Sequence, residues 1–466
     1  MSSRYDLAIV GSGAAGFSAA IAAARRNKHV VMVERGLLGG TCVNVGCIPS
    51  KSLLAAAEAR HVAARASFPG IATTAGRVDM PSLLEGKDEV VSDLRRERYE
   101  DLVRDYGWEL VRGEAMFSEG PVLMVDGRPL EAAHYVVATG SRPWAPPIDG
   151  LEEAGYLTSS TAMELPRVPE SLVVVGANYI GLEFAQLFAR LGTKVILLEA
   201  LERIAPFEEP EISEALAAVL ADEGVEVHAG ANVMRVKASN GLRLVTARVA
   251  AGELEFAADH VLVATGRKPA TEGLGLDRAG VEVGSRGEVV IDEQLRTANP
   301  RVWAAGDVTG APQFVYVSGA QGEVVVANAF DDAERTLDYS ALPRVTFTSP
   351  NGASVGLTDA QAGEQGIDCE CRVVPLEYVP RAIVNRDTRG LVKMVAERIT
   401  GRILGIHVLA PNAGEVILAG VYALQAGMTV EDVARMWCPY LTMSEAVKLA
   451  AQSFTTDVRK LSCCAA

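Results

Sequence analysis

The sequence predicts an α/β chain: two Rossmann-like dinucleotide-binding domains, then a C-terminal α+β domain. Three observations predict it. The apolar run YDLAIV (5–10) feeds Gly11-Ser12-Gly13-Ala14-Ala15-Gly16, an Ala-rich helical stretch to Arg26 and a second strand, HVVMVE, ending at Glu34. The pattern recurs at LVVV (172–175), Gly176-Ala177-Asn178-Tyr179-Ile180-Gly181, a helix and KVILLE ending at Glu199. From about Ser340, strands such as RVTFTS and LVKMVA alternate with Ala-rich helices. At 466 residues the chain is long enough for two or three ordinary domains.

A lone GxGxxG is a weak signal. Here strand, glycines, helix and strand come in the required order, and Glu34 falls 18 residues after Gly16, where a dinucleotide ribose needs a carboxylate. The glycines allow the tight turn and bring a pyrophosphate to the helix N-terminus. Residues 52 to 105 have helical periodicity and predict long solvent-facing helices, and short strands follow from Trp108 to Val137. YVVATGSRP (135–143) closes this part, with Gly140 and Pro143 marking a boundary, and VLVATGRKP (261–269) echoes it. The expected division is 1–150 and 270–340 for one nucleotide domain, 151–269 for the other and 341–466 for the last.

In the second loop Asn178 replaces the middle glycine. Asn tolerates positive φ, so the turn survives, while its side chain crowds the pyrophosphate approach. Glu199 favours a free adenine ribose and repels a 2′-phosphate, whereas Arg203 is placed to reach one. NADH and NADPH both stay open.

Chemistry concentrates in Gly39 to Leu53, GGTCVNVGCIPSKSL. In an ideal helix a pair of cysteines spaced like Cys42 and Cys47 would have α-carbons beyond the roughly 7 Å disulfide limit, so the backbone must be irregular if the sulfurs are to meet. Gly46 and Pro49 supply that irregularity. Amide groups aimed at the sulfurs predict a lowered thiol pKa. A zinc half-site or two structural thiols are the plainer alternatives, but no second Cys or His cluster lies where it would complete a four-ligand site.

Composition sets limits. A net charge of −15 argues against nucleic acid or an anionic membrane face as partner, and 49% hydrophobic residues bury substantial cores. No apolar run approaches the roughly 20 residues needed to span a bilayer, and MSSRYD leads straight into a strand, so a cytoplasmic enzyme is expected. Seven cysteines do not form a secreted disulfide framework. Cys369 and Cys371 alternate on one face of a strand, where two thiols alone make a poor metal site, and Cys438 is expected to be a packed thiol.

Cys42-Val-Asn-Val-Gly-Cys47 with Lys51, set behind a nucleotide loop, resembles the redox-active disulfide of the flavoprotein pyridine nucleotide-disulfide oxidoreductases, and the likeness runs from Tyr5 to about Phe454. The resemblance implies a glutathione-reductase-like fold with a C-terminal dimerisation domain, one FAD per subunit, and NADPH or NADH as donor. It assigns FAD to Gly11, Gly13, Ala15, Gly16, Glu34, Gly40, Thr41, Lys51, Ala115, Thr139, Gly140, Asp307 and Val315. It assigns the nicotinamide dinucleotide to Gly176, Asn178, Gly181, Glu199 and Gly266. Cys47 becomes the thiol nearer the flavin, Cys42 the interchange thiol, and Glu183 the residue that holds Lys51.

Two features divide the family. Its disulfide reductases carry a His-Pro pair near the C-terminus as acid and base. Here the matching run is CPYLTMSEAVKLAA, with Tyr440 and Leu441 in those places, Glu445 retained, and the last histidine at His407. The chain also ends LSCCAA. Across one trans peptide the α-carbons of Cys463 and Cys464 stand about 3.8 Å apart, so a disulfide between them is strained and a soft cation between the sulfurs is favoured. With Tyr179, these features resemble the mercury-reducing branch of the family. That resemblance implies a homodimer with active sites shared between subunits. The Cys463–Cys464 tail takes Hg(II) from thiol complexes and passes it to Cys42 and Cys47 of the other subunit, flanked by Tyr179 and Tyr440. The rivals are a thioredoxin-reductase-like or other dithiol/disulfide oxidoreductase, and a flavoprotein that sequesters metal without turnover.

Overall fold

The computed structural model describes residues 5–120, 122–310 and 312–462. Cys463 and Cys464 lie outside the described residues. The chain divides into two compact units. The first comprises Met1–Ser52, Pro81–Trp144 and Gly266–Leu337; the second comprises Leu53–Met80, Ala145–Thr265 and Asp338–Ala466.

The first unit is built on a parallel sheet of five strands in the order Val302–Ala304, Ala132–Val137, Tyr5–Val10, Val30–Glu34, Glu109–Arg112. Its central strands are nearly continuous apolar runs because both faces are covered. Leu7, Ile9, Val30, Met32 and Val136 face one core. Their neighbours Ala8, Val10, Val31, Val33 and Val137 face the other. The helices Ala14–Ala24 and Val315–Asp331 pack on the first face. Their crossing is close enough that a Cβ on Gly322 would run into the Ala15 carbonyl oxygen. The antiparallel strands Ala115–Ser118, Val122–Val125 and Arg128–Leu130 lie in sequence between the third and fourth parallel strands and contribute Phe117, Leu123 and Val125 to the second core.

The second unit repeats the theme. A four-stranded parallel sheet runs Glu226–His228, Lys194–Leu198, Ser171–Val175, His260–Val263. The helix Tyr179–Leu191 follows its glycine turn, and three antiparallel strands cover residues 232–258. Residues 344–410 add a five-stranded antiparallel sheet, ordered Arg344–Thr346, Asn351–Gly356, Ile403–Ala410, Leu391–Glu397, Cys369–Pro375. Its core joins Val355, Met394 and Ile406 to helices Ala413–Gln425 and Glu445–Gln452.

The helices predicted for 52–105 form as Cys47–Arg65, Met80–Arg95 and Asp101–Tyr106, with a π turn at Arg96–Glu100. Residues 66–79, which carry Pro69, Gly70 and Gly76, separate the first two without helix.

Candidate active site

In the first unit the parallel strand Tyr5–Val10 delivers its loop at the sheet's carboxyl end, where open α/β sheets bind ligands. Gly11 has φ +102°, and a Cβ there would stand 2.5 Å from the Ala138 carbonyl oxygen. No other residue type fits that turn without strain. A Cβ on Gly16 would meet the Gly11 carbonyl, so this glycine sets how closely helix and strand pack, with Ala15 buried beside it. Gly13 caps the helix, and a Cβ on Gly40 (φ +63°) would lie 2.7 Å from the Gly13 α-carbon.

Glu34 closes the loop from the next strand. Its Oε2 accepts the Ser12 backbone N–H at 3.0 Å and hydroxyl at 2.6 Å, and its Oε1 accepts the Gly36 N–H at 2.6 Å. A bare glycine floor, an eleven-residue helix N-terminus and a carboxylate with acceptor capacity left for ribose hydroxyls fit the adenosine diphosphate half of FAD.

The dithiol segment breaks where its glycine falls. Helix Gly40–Val45 ends at Gly46 (φ −129°, ψ −115°), where a Cβ would stand 2.8 Å from the Thr41 carbonyl oxygen, and helix Cys47–Arg65 starts afresh. Asn44 secures the bend: its Nδ2 donates to the carbonyls of Leu38 and Gly40, each at 2.8 Å, and its Oδ1 accepts from Arg95 at 3.1 Å. The break brings the Cys42 and Cys47 side chains into a hydrogen bond.

One expectation is corrected here. The Cys42 thiol is raised rather than lowered, first by its hydrogen bond to Cys47, then by burial and by charge on Cys47, with Lys51 acting against the shift. Two thiols in contact titrate as a pair, and their hydrogen bond together with burial favours the protonated form of Cys42. Burial, then the field of the cysteine pair, raises the Tyr99 phenol, and its ring packs edge-on against Phe17.

A polar chain of the same unit lies within the electrostatic field of Cys47. The Ser141 hydroxyl donates to Asp307 Oδ2 at 2.6 Å and accepts from Arg267 Nε at 2.7 Å, while the Arg267 guanidinium also donates to the Ser141 carbonyl at 2.7 Å. Burial lowers Arg267 despite the opposing charges of Asp307 and Cys47, which places Cys47 in its field. Thr139 donates its hydroxyl to the Ala270 carbonyl at 2.8 Å, and Gly140 (φ +71°) accepts the Ala270 N–H at 2.9 Å. Ala115 opens a short strand and Val315 a helix, both in this unit, which also holds Thr41, Lys51 and Gly266.

The second unit carries the parallel loop. Gly176 has φ +98° with a Cβ position 2.7 Å from the Ala264 carbonyl oxygen, and a Cβ on Gly181 would meet the Gly176 carbonyl. Glu199 Oε2 accepts the Ala177 N–H at 2.6 Å and Oε1 the Leu201 N–H at 2.9 Å, the counterpart of Glu34. The loop therefore fits a second dinucleotide. Asn178 has φ −103°, ψ −167°, so the expectation of a positive φ there is corrected. The left-handed residue of the turn is Gly176, and Gly13 (φ −77°) is equally extended, so Asn178 bears no backbone strain. Arg203 donates to the carbonyls of Pro206 and Glu208, at 3.0 and 3.1 Å, and would have to leave them to reach a 2′-phosphate.

Glu183 is 4% exposed, and its Oε1 accepts the Phe347 N–H at 2.9 Å. The Tyr179 hydroxyl meets Glu208 Oε1 at 3.4 Å, and Arg344 holds the same oxygen at 3.3 Å. Tyr440 is exposed in the turn before helix Glu445–Gln452, next to Leu441 at φ +58°. Glu445 is buried with its Oε2 unpartnered among the described residues, and burial raises its carboxyl. Cys438 is raised by burial, then by Glu445.

Sequence reasoning missed Tyr99, the Asn44–Arg95 clamp and the Ser141–Arg267 link. Only the last had a signal, the repeated ATG-Ser-Arg and ATG-Arg runs.

Two dinucleotide loops and a contacting cysteine pair define an oxidoreductase that passes electrons between a nucleotide and a dithiol. Family profiles agree: the pyridine nucleotide-disulphide oxidoreductase profile matches residues 5–322, and its dimerisation-domain profile matches 342–451. The chain belongs to this family, is an oxidoreductase and works with FAD and NAD(P)H. It is 58% identical to a mercuric reductase of Streptomyces lividans, covering 99% of this chain and 98% of that one. It is 46% identical to a mercuric reductase of Lysinibacillus sphaericus, covering 99% and 85%. Among solved structures it resembles the Cu(II) complex of the HOCl-induced flavoprotein disulfide reductase RclA from Escherichia coli (31% identity, 98% and 100% covered, TM-score 0.87). It also resembles LpdA from Mycobacterium tuberculosis (26% identity, 97% and 100% covered, TM-score 0.86).

Proposed function

We propose that this chain reduces Hg(II) to Hg(0) with electrons from NAD(P)H, the ion being held between Cys42 and Cys47. The observation that carries this reading is the Cys42–Cys47 contact in a chain whose C-terminal run has Tyr440 where a disulfide reductase needs histidine. Reducing a thiolate-bound metal needs soft ligands and two electrons but no proton for a leaving sulfur. Full-length likeness to mercuric reductases supports it.

The residues divide the work. Gly11, Gly13, Ala15, Gly16, Glu34, Gly40, Thr41, Lys51, Ala115, Thr139, Gly140, Asp307 and Val315 would hold FAD, and Gly176, Asn178, Gly181, Glu199 and Gly266 the nicotinamide dinucleotide. FAD, when bound, supplies two-electron transfer between nicotinamide and the dithiol side. Each cysteine binds the ion as a thiolate, and any thiol proton it carries is released as its sulfur–metal bond forms. Lys51 favours the ionised sulfurs. Glu183, Tyr179 and Tyr440 are assigned supporting roles in the same reaction by the likeness to mercuric reductases. Cys463 and Cys464 capture Hg(II) from thiol complexes and pass it to the inner pair of the partner subunit in a homodimer.

The test is nicotinamide oxidation by the purified protein with Hg(II) buffered by excess small thiol, using NADH and NADPH. Glutathione disulfide, lipoamide and oxidised thioredoxin serve as parallel acceptors. Mercury-dependent turnover that falls in the Cys463→Ala, Cys464→Ala variant is expected. Turnover only with a disulfide would overturn the proposal and favour the second reading, a dithiol/disulfide oxidoreductase, which the likeness to the E. coli disulfide reductase supports.

A further inference from the structure

Outside the Cys42–Cys47 pair, one other place gathers soft ligands among the described residues. The sulfurs of Cys369 and Cys371 and a carboxylate oxygen of Asp359 all lie within 4.8 Å of one another. Two thiols at alternate positions of a strand are a poor metal site by themselves. The fold adds the third donor from another element, and that changes the chemistry.

The three groups are held in place by backbone. Cys369 and Cys371 sit on the edge strand Cys369–Pro375, paired to Glu397 and Val395 of the neighbouring strand. Alternate residues of a strand share a face, so both thiols project to the same side. Asp359 is the first residue of the helix Asp359–Glu364, which Thr358 caps reciprocally with Gln361. Its own N–H donates to the buried Glu209 carboxylate at 2.7 Å. The Cys369 thiol donates to Asp359 Oδ1 at 3.1 Å, and the Cys371 thiol also bonds to Asp359. Asp359 is exposed and both cysteines are part-buried, which leaves an entry from solvent.

We propose that Asp359, Cys369 and Cys371 form a second metal site that takes one thiophilic divalent cation with a filled d shell, of the zinc, cadmium and mercury kind. Binding replaces two S–H bonds with two sulfur–metal bonds and releases two protons to solvent. Asp359 turns from hydrogen-bond acceptor to third ligand, and no electrons move. The site is independent of whatever Cys42 and Cys47 act on.

Chemistry favours a cation over a disulfide here. A rise of about 3.3 Å per residue sets the two α-carbons near the outer limit of disulfide geometry, roughly 6.8 Å, whereas parallel thiols leave a gap that an ion fills. Burial and Asp359 raise both thiols, Cys371 to about 12, so without metal they hold their protons and react slowly as nucleophiles. A hard cation such as magnesium or calcium does not displace those protons, and a thiophilic one does. Lys393 is the positive group closest in effect to Cys371, and Glu209 and Glu211, at 2.9 Å each, already neutralise it.

The test uses the full-length chain carrying Cys42→Ala, Cys47→Ala, Cys438→Ala, Cys463→Ala and Cys464→Ala, kept reduced with a phosphine and titrated with cadmium. One equivalent should bind, with thiolate-to-cadmium charge-transfer absorption and release of two protons into weak buffer. Adding Cys369→Ser and Cys371→Ser should abolish the absorption, and Asp359→Asn should weaken binding by roughly tenfold while keeping it. Absence of stoichiometric absorption in the five-alanine protein, or absorption that survives the serine changes, would overturn the site. Should that protein fail to fold, equilibrium dialysis of wild type against the Cys369→Ser, Cys371→Ser variant decides. The variant should bind one cadmium fewer, and equal binding would overturn the proposal.

Discussion

Cys42 and Cys47 show how two identical side chains acquire different jobs. The hydrogen bond between them, together with burial, favours the protonated form of Cys42. Replacing Cys42 by Ser should therefore leave FAD bound but lower mercury-dependent nicotinamide oxidation by roughly a thousandfold or more, because a hydroxyl neither ionises there nor binds a soft ion. Stopped-flow turnover beside the flavin absorbance spectrum would check both halves. Gly11 makes a sharper residue-scale prediction. With φ +102° and the Ala138 carbonyl in the way, Gly11→Ala should cost about 1–3 kcal/mol and empty the flavin site, seen as loss of yellow colour on purification. Asn178→Gly, by contrast, removes no strain, so the melting temperature should stay within a few degrees. Only the Michaelis constant for nicotinamide should fall if the amide crowds the pyrophosphate.

At the scale of elements, the dithiol segment is a pair of short helical pieces joined at Gly46 and clamped by Asn44. Asn44→Ala would leave two carbonyls and Arg95 without that partner, at a cost of about 1–3 kcal/mol. Urea unfolding should show the lower midpoint, and the rate of thiol modification at Cys47 should rise as the bend loosens. The helix pair Ala14–Ala24 and Val315–Asp331 rests on small residues in the same way, with Gly322 admitting the Ala15 carbonyl.

In the second unit a charge network gathers around the buried carboxylate of Glu223. Glu223 receives Arg190 at 2.7 Å and Arg389 at 2.9 Å, Arg190 also pairs with Glu58, and Asp387 takes Arg389 at 2.8 Å. Burial opposes the charge on Glu223, but the two guanidiniums outweigh it and hold the carboxyl below the usual range. A depressed carboxyl stabilises the fold above its unfolded pKa, and this is lost as pH falls through the folded value. His61, lowered by burial and then by Arg190, acts in the same direction, since the folded chain takes up its proton less readily than the unfolded one. Stability should therefore fall on acidification below about pH 6.5 and more steeply below about pH 4. Glu223→Gln should remove roughly 3 kcal/mol at neutral pH and flatten the acid limb in urea titrations. That loss is at the low end for a broken buried pair, because Glu58 and Asp387 still face the arginines. At the same scale, no helix among the described residues is long and apolar enough to cross a membrane.

Much of this was legible along the chain because it is written in local relations. Strands at Tyr5–Val10 and Ser171–Val175, the glycine turns after them, Glu34 and Glu199 at the following strand ends, and the break between Cys42 and Cys47 all follow from spacing and residue type. Backbone sterics act over a few residues, so a sequence suffices to state them. The tertiary structure alone decided that Gly176 rather than Asn178 carries the positive φ, that the Cys42 thiol is raised, and that the field of Cys47 is felt at Tyr99 and at Arg267, to which Ser141 is bonded. It also decided that Asp359 joins Cys369 and Cys371. These are contacts between distant segments, and their energies depend on burial and on which charge faces which, quantities that come into being only when the chain closes on itself.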